Sequence, residues 1–188
     1  MSTHKTTGLA NPGPLGLLGF GMTTILLNLH NAELIQLSVV IVSMGFALGG
    51  LAQIIAGIFE LRNGNTFGGT AFTAYGCFWW SLIFIWVNPT GGAIAASDAQ
   101  SMGAYLLLWA IFTGFMFIGT LKHNKATQVV FGTLTLLFLL LAIADFSGIH
   151  GVHLAAGWVG IICGASAIYA SMGQILNAEY GKNVMPLG

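Results

Sequence analysis

Polar side chains recur at helical spacing inside long apolar stretches of this sequence. Thr24 and Asn28 lie four residues apart. Thr70 and Thr73 lie three apart in another stretch, and Gln53 is embedded in a third. Residues three or four apart share one face of an α-helix, so stripes from several helices could line a narrow, mildly polar path for a small solute. The alternative is that these groups bond only to neighbouring helices or, for Thr, within their own helix.

The charges of the sequence constrain what such a path could bind. No Lys or Arg lies near the middle of any apolar stretch. An unpaired ion in a low-dielectric interior is costly, so a tightly held anion would need a cation that the stretches lack. The path would therefore suit a weakly held anion or a neutral acid, and a small weak acid offers both forms.

A second group of ionisable side chains lies at the ends of the apolar stretches. His30, His150, His153 and Asp145 fall on one side of the predicted helices. These residue types could bind a metal, exchange protons near neutral pH or simply hydrogen-bond at the membrane interface. The short gap between His150 and His153 is weak evidence for a metal site, and a haem would need histidines that face each other within the bilayer. Neither a metal nor another cofactor is predicted.

The composition indicates that membrane-spanning helices must position these residues. Of the 188 residues, 56% are hydrophobic and only 5% are charged, and the mean hydropathy is +0.86. Soluble domains usually contain about 25% charged residues. The composition therefore excludes a soluble enzyme, a nucleic-acid-binding protein and a disordered chain. An enzyme within the membrane would need a nucleophile with a base, or a metal, deep in the bilayer, and no enzymatic activity is predicted.

Six apolar runs approach or exceed the roughly 20 residues that a spanning helix needs. They cover residues 15–29, 34–59, 67–87, 102–121, 129–146 and 152–176. The predicted fold is all-α: a polytopic membrane protein with six transmembrane helices in a single domain over residues 1–188. The N-terminal segment 1–14 and the C-terminal tail 177–188 lie outside the bilayer, and no cleaved targeting sequence is expected.

The basic residues indicate the orientation of the chain in the membrane. All five fall on the same side of a six-helix arrangement: Lys5, Arg62, Lys122, Lys125 and Lys182. Cytoplasmic loops of membrane proteins are enriched in Lys and Arg. Both termini are therefore predicted to be cytoplasmic, in a multi-pass protein of the inner (plasma) membrane.

The most distinctive string begins at Asn11 and reads Asn-Pro-Gly-Pro-Leu-Gly-Leu through Leu17. Pro12 and Pro14 would pre-set the backbone for the start of a helix. The string resembles the signature of the acetate uptake transporter family, in which Ala usually stands where Gly13 is. The resemblance extends over nearly the whole chain, in strings at residues 26–31, 64–68, 70–73, 75–76, 115–117, 156–158 and 163–169.

The resemblance implies six helices per subunit, a homo-hexameric ring and a separate pore enclosed by each subunit. It also implies uptake of acetate and other short monocarboxylates, with succinate as a further substrate, by proton symport or by channel-like passage of the anion. Matching motifs place the family's hydrophobic constriction at Phe20, Tyr75 and Leu134. Phe20 and Tyr75 also lie beside the polar stripes that were identified from the residues alone.

A rival prediction is an aquaporin-like channel for small neutral solutes. Asn11-Pro12 and Asn88-Pro89 resemble the paired Asn-Pro motifs of those channels. Such motifs lie in re-entrant loops between helices, whereas Asn11 precedes the first predicted helix. The transporter interpretation is therefore preferred.

Overall fold

The computed structural model describes residues 10–87 and 95–188, and these residues form a bundle of six long helices. The helices are α1 (Gly13–Asn31), α2 (Val39–Arg62), α3 (Thr66–Val87), α4 (Ala99–Thr120), α5 (Lys125–Ser147) and α6 (His150–Tyr180). The described residues contain no β-strand, so the predicted all-α class is confirmed. Lys5, most of the N-terminal segment 1–14 and the Asn88-Pro89 pair lie outside the described residues.

Five of the six described helices, α2 to α6, are long and apolar enough to span a membrane. The remaining helix, α1, has 19 residues, which corresponds to about 28 Å and nearly matches the roughly 30 Å core of a bilayer. Its polar side chains Thr23, Thr24 and Asn28 are buried against other helices. α1 is therefore an interior helix of a multi-pass membrane protein, which accounts for its weaker apolar character.

Capping residues set where several helices begin and end. Asp98 accepts a hydrogen bond from the backbone N–H of Ser101 (2.7 Å) at the start of α4, and Asn124 caps the start of α5 in the same way (2.9 Å). Gly181 has a left-handed φ of 61° and ends α6, a conformation that favours glycine. Because no earlier residue ends the helix, residues 177–180 of the predicted C-terminal tail belong to α6.

Glycines bring α1 directly against the backbones of two neighbouring helices. α2 contains a π-helical segment at Gly45–Ala52, a wider helical form that is frequent at functional sites. A Cβ on Gly19 would lie 2.5 Å from the carbonyl oxygen of Leu48 in this segment, and one on Gly21 would lie 2.7 Å from the carbonyl oxygen of Gly164 in α6. Only glycine permits these close approaches.

Successive helices run in opposite directions, so basic side chains collect at one end of the bundle, called here the basic end. The described residues place four of them there: Arg62, Lys122, Lys125 and Lys182. The C-terminal segment lies at the same end, since the backbone N–H of Lys125 donates to the carbonyl oxygen of Gly188 (3.4 Å). At the opposite, far end, His150 of α6 pairs with Glu33, which follows α1.

Candidate substrate pathway

Two small cavities lie within the bundle and share three lining residues. The basic-end cavity has a volume of about 20 Å³ and the far-end cavity about 30 Å³, room for roughly one or two water molecules each. The shared residues, called here the neck, are Phe20, Tyr75 and Leu134. The rest of the basic-end lining is Leu17, Gln53, Ala71, Phe72, Val130 and Phe131. The rest of the far-end lining is Thr24, Leu27, Asn28, Asn31, Phe78, Trp79, Leu137, Phe138 and Leu141.

The neck residues come from three different helices, α1, α3 and α5, and all three are buried. Phe20 is 6%, Tyr75 3% and Leu134 2% exposed, and the ring centroids of Phe20 and Tyr75 are 6.1 Å apart. The Tyr75 hydroxyl donates a hydrogen bond to Oγ1 of Thr113 on α4 (3.0 Å). An apolar closure of this kind removes water from a passing solute and supplies little in return.

The far-end cavity is lined on one side by hydroxyl and amide groups of α1. The amide of Asn28 donates to the carbonyl oxygen of Thr24 (2.8 Å), and the amide of Asn31 donates to Oδ1 of Asn28 (3.0 Å). Gly160 of α6 leaves the space that Asn28 fills, since a Cβ there would collide with its side chain. Asn31 was missed by the sequence analysis, although its place three residues after Asn28 extends the same stripe.

The basic-end cavity contains a single amide side chain among largely apolar neighbours. Gln53 is completely buried, and its Nε2 donates to the carbonyl oxygen of Gly49 (2.7 Å) in the π-helical segment. Its Oε1 has no hydrogen-bond partner among the described residues. Gln53 follows directly after the π-helical segment, which therefore sets the position of this side chain at the cavity wall.

The structure does not bring Thr70 or Thr73 to either cavity. Thr70 is exposed on the surface of the bundle. Thr73 packs into the gap left by Gly57 of α2, where a Cβ would collide with its hydroxyl. The polar stripe of α3 thus faces α2 and the surface, while Tyr75 of the same helix faces the neck.

The Asn-Pro-Gly-Pro string fixes the start of α1 against the last turns of α6. Pro12 is the residue before the helix, and Oδ1 of Asn11 accepts a hydrogen bond from the backbone N–H of Gly13 (3.0 Å). The amide of Asn11 donates to Gln174 (3.1 Å), and the hydroxyl of Ser171 donates to the carbonyl oxygen of Pro14 (2.7 Å). The Asn11 side chain therefore uses its hydrogen bonds to hold α1 against α6. In a solute-binding Asn-Pro motif, the Asn side chain would instead be free to bind the solute.

Ionisable side chains at the far end form one close pair. His150 Nε2 lies 2.5 Å from Glu33 Oε1, and both side chains are largely exposed. A hydrogen bond from His150, together with its charge, holds the pKa of Glu33 below its usual range. Among the residues that the structure describes, no three His, Cys, Asp or Glu side chains are grouped so as to hold a metal.

Comparisons with known proteins agree with this architecture. The succinate-acetate/proton symporter SatP of Escherichia coli K12 is 55% identical over 182 residues, which are 97% of each chain. Ammonia transport outward protein 2 of Saccharomyces cerevisiae is 42% identical over 94% of this chain and 64% of its own. A solved structure of the bacterial acetate channel SatP, 55% identical in sequence, matches with a TM-score of 0.94 over 96% of this chain and 100% of that chain.

A family model that matches nearly the whole chain confirms the family predicted from the Asn-Pro-Gly-Pro string and the other matching strings. Residues 1–186 fit the GPR1/FUN34/yaaH family description, and the relatives above are named as transporters or a channel. This chain belongs to the GPR1/FUN34/yaaH family of membrane proteins.

Proposed function

We propose that this protein transports acetate and other small carboxylates, succinate among them, along the line of the two cavities in each subunit. The observation that supports the proposal most directly is the neck. Phe20, Tyr75 and Leu134 are the residues common to both cavities, and each comes from a different helix. Along all three helices, the basic-end lining precedes the neck residue and the far-end lining follows it. A solute that moves from one cavity to the other must pass between these side chains.

The chemistry of the lining fits a small, weakly held carboxylate. The residues that line the two cavities include no charged side chain. A solute that must leave as readily as it enters cannot be bound tightly, and isolated hydroxyl and amide groups provide weak binding sites. Fully ionised succinate, which carries two charges, would lose much of its hydration at the neck without a compensating cation, so succinate is expected to pass in a protonated form.

Proton coupling is part of the proposal, because the relative SatP of Escherichia coli is named as a succinate-acetate/proton symporter. The names of the relatives, a symporter and a channel, also support transport rather than catalysis. An aquaporin-like function has less support, since both polar atoms of the Asn11 side chain are hydrogen-bonded within the protein.

For the assembly, we propose a homo-hexamer in the inner membrane with both termini in the cytoplasm. Large apolar side chains on the outside of the bundle, such as Phe84 (66% exposed), Leu108 (69%) and Phe115 (70%), suit contact with lipid or with neighbouring subunits. The collection of four basic residues at one end supports a cytoplasmic location for that end.

The direct test is uptake of labelled acetate by proteoliposomes, with and without an imposed pH gradient. Protein-free liposomes are the essential control, because undissociated acetic acid crosses bilayers unaided. We expect proteoliposomes to take up acetate faster than protein-free liposomes. We also expect this protein-dependent uptake to be faster when the outside is more acidic. Equal uptake by proteoliposomes and protein-free liposomes would overturn the proposed function.

A further inference from the structure

Residues 182–188, called here the strap, fold back along α6 at the basic end. Gly181 has a left-handed φ of 61° and reverses the direction of the chain after α6. Three residues of α6 that are spaced four apart then contact the strap: Tyr169, Gly173 and Asn177. Because residues four apart share one face of a helix, a single face of α6 receives the strap.

Hydrogen bonds from two α6 side chains hold the backbone of the strap. Oδ1 of Asn177 accepts the backbone N–H groups of Val184 (2.7 Å) and Met185 (2.8 Å), and its Nδ2 donates to the carbonyl oxygen of Met185 (2.8 Å). The hydroxyl of Tyr169 donates to the carbonyl oxygen of Pro186 (2.7 Å). Asn177 therefore makes more of the bonds that fix the strap than Tyr169 does.

The end of the strap caps the start of α5. Leu187 packs over Gly173, where a Cβ would lie 2.6 Å from its Cδ2. The backbone N–H of Ala126 donates to the carbonyl oxygen of Leu187 (2.9 Å), and that of Lys125 donates to Gly188 (3.4 Å). The first N–H groups of a helix have no acceptor within the helix. The strap therefore satisfies two such groups and ties the start of α5 to the last turns of α6.

From this tied end, α5 runs directly to the substrate pathway. Val130 and Phe131 line the basic-end cavity, and Leu134 belongs to the neck. Val130 lies five residues after Lys125, or about 8 Å along the helix. We propose that Asn177 is a positioning residue: by holding the strap on the start of α5, it fixes α5 against α1 and α3 and so sets the size of the solute that the neck admits. This inference rests on the proposed function and adds a residue that controls size selection.

The position of α5 affects the width of the neck because Leu134 is the neck residue that α5 supplies. Phe20 and Tyr75 come from α1 and α3, and their ring centroids are 6.1 Å apart. A tilt of α5 away from these two rings would widen the neck. Packing against neighbouring helices resists this tilt along α5, and the strap resists it at the start of the helix. Loss of the strap should favour succinate over acetate, because the larger solute is more limited by the width of the neck.

The first experiment tests the tie itself, by hydrogen exchange in the peptide that covers residues 122–128. In Asn177→Ala, we expect the Ala126 amide to exchange about tenfold faster, which corresponds to the loss of one hydrogen bond. Asn63→Ala, the same change at the exposed end of α2, is the matched control and should leave this exchange unchanged. Unchanged exchange in Asn177→Ala would show that Asn177 does not hold the strap on α5, and would overturn the inference.

The second experiment measures uptake by proteoliposomes, normalised to folded protein. In Asn177→Ala, we expect the succinate-to-acetate uptake ratio to rise by about threefold, a coupling of ordinary size between packed elements, and Asn63→Ala should keep the original ratio. Faster exchange with an unchanged ratio would mean that Asn177 serves only the stability of the fold, and would overturn the inference. Absence of protein-dependent acetate uptake by the unmodified protein would instead overturn the proposed function.

A reducible crosslink separates a loosened strap from a damaged protein. A Cβ on Gly173 would lie 3.6 Å from the Cβ of Met185, a separation that a disulfide can bridge, and the end of the flexible Leu187 side chain can rotate away from it. Gly173→Cys and Met185→Cys are added to Asn177→Ala, with the native cysteines replaced by Ala. We expect the oxidised protein to show the original uptake ratio, and the same sample to show the raised ratio after reduction. Because the protein is purified with the strap crosslinked, this comparison does not require Asn177→Ala to fold on its own. An equal ratio before and after reduction would contradict the inference.

Discussion

The hydroxyl of Tyr75 donates a hydrogen bond to Oγ1 of Thr113, which lies 3.0 Å away on α4, and Thr113 is completely buried. The bond joins α3 to α4 beside the neck. It directs the only O–H of the neck toward Thr113 of α4. Tyr75 therefore contacts the path chiefly with its ring. Aromatic neighbours also hold that ring, with the centroid of Phe112 5.5 Å and that of Phe131 6.2 Å away.

Removal of the hydroxyl should therefore affect stability more than selectivity. We expect Tyr75→Phe to keep the preference for acetate over succinate. Thr113→Val leaves the Tyr75 hydroxyl buried without a partner and should reduce stability by about 1–3 kcal/mol. The double variant removes both polar groups and should recover part of that loss. The melting temperatures of the two single variants and the double variant test the stability changes. The ratio of acetate to succinate uptake tests the preference. A changed preference in Tyr75→Phe would show that the hydroxyl itself contacts the substrate.

Shortening a neck residue should widen the passage for larger acids. In Phe20→Ala, we expect the succinate-to-acetate uptake ratio to rise by about tenfold, which is the lower end of the effect of one methylene group in a tight pocket. Phe115→Ala is a matched control, because Phe115 is 70% exposed on the outside of α4. Uptake must be normalised to folded protein, since a buried Phe→Ala change also leaves a cavity and destabilises by about 3–5 kcal/mol. If only the yield of folded protein falls and the uptake ratio stays constant, the neck does not determine the preference between succinate and acetate.

The orientation of the chain can be tested by cysteine labelling from outside the cell. The native Cys77 and Cys163 are first replaced by Ala. A cysteine at Ser97, in the exposed segment before α4, should react with a membrane-impermeant reagent. A cysteine at Lys122, at the basic end, should react only after the membrane is permeabilised. The reverse pattern would place the basic end outside.

The pair of Glu33 and His150 at the far end should make the stability of the protein depend on pH. His150 lowers the pKa of Glu33 from its usual value of 4.5. The pair therefore contributes stability above that pH, and the contribution is lost as the pH falls through the lowered pKa. Because both side chains are exposed, the effect on global stability should be small.

The pH profile of acetate uptake is the more sensitive measurement at this end. Replacement of His30, His150 and His153 by Gln should change its shape if these residues attract the anion or deliver its proton. A matched control is His123→Gln at the basic end, which should leave the profile unaltered. Identical profiles for the triple variant and the unmodified protein would indicate that the far-end histidines have only an interfacial role.

The sequence by itself determined that the chain is a bundle of membrane-spanning helices. With so few charges and such long apolar runs, backbone N–H and C=O groups can be satisfied in a bilayer only within helices or closed barrels, and the runs lack the alternation of barrel strands. Helical spacing also placed Thr24 and Asn28 on one face, and both line the far-end cavity. The motifs predict a constriction at Phe20, Tyr75 and Leu134, and the structure places these residues between two cavities.

Only the tertiary structure decided which neighbour each polar face meets. Thr70 and Thr73 share one helix face, as Thr24 and Asn28 do. Nevertheless, Thr73 packs into the gap at Gly57, and Thr70 is exposed. The sequence also does not reveal the bond from Tyr75 to Thr113, or that Oε1 of Gln53 has no hydrogen-bond partner among the described residues. The physical reason is that periodicity fixes which residues share a helix face. The rotation of that face toward a path, another helix or lipid is set by close helix contacts, such as those at Gly19 and Gly21.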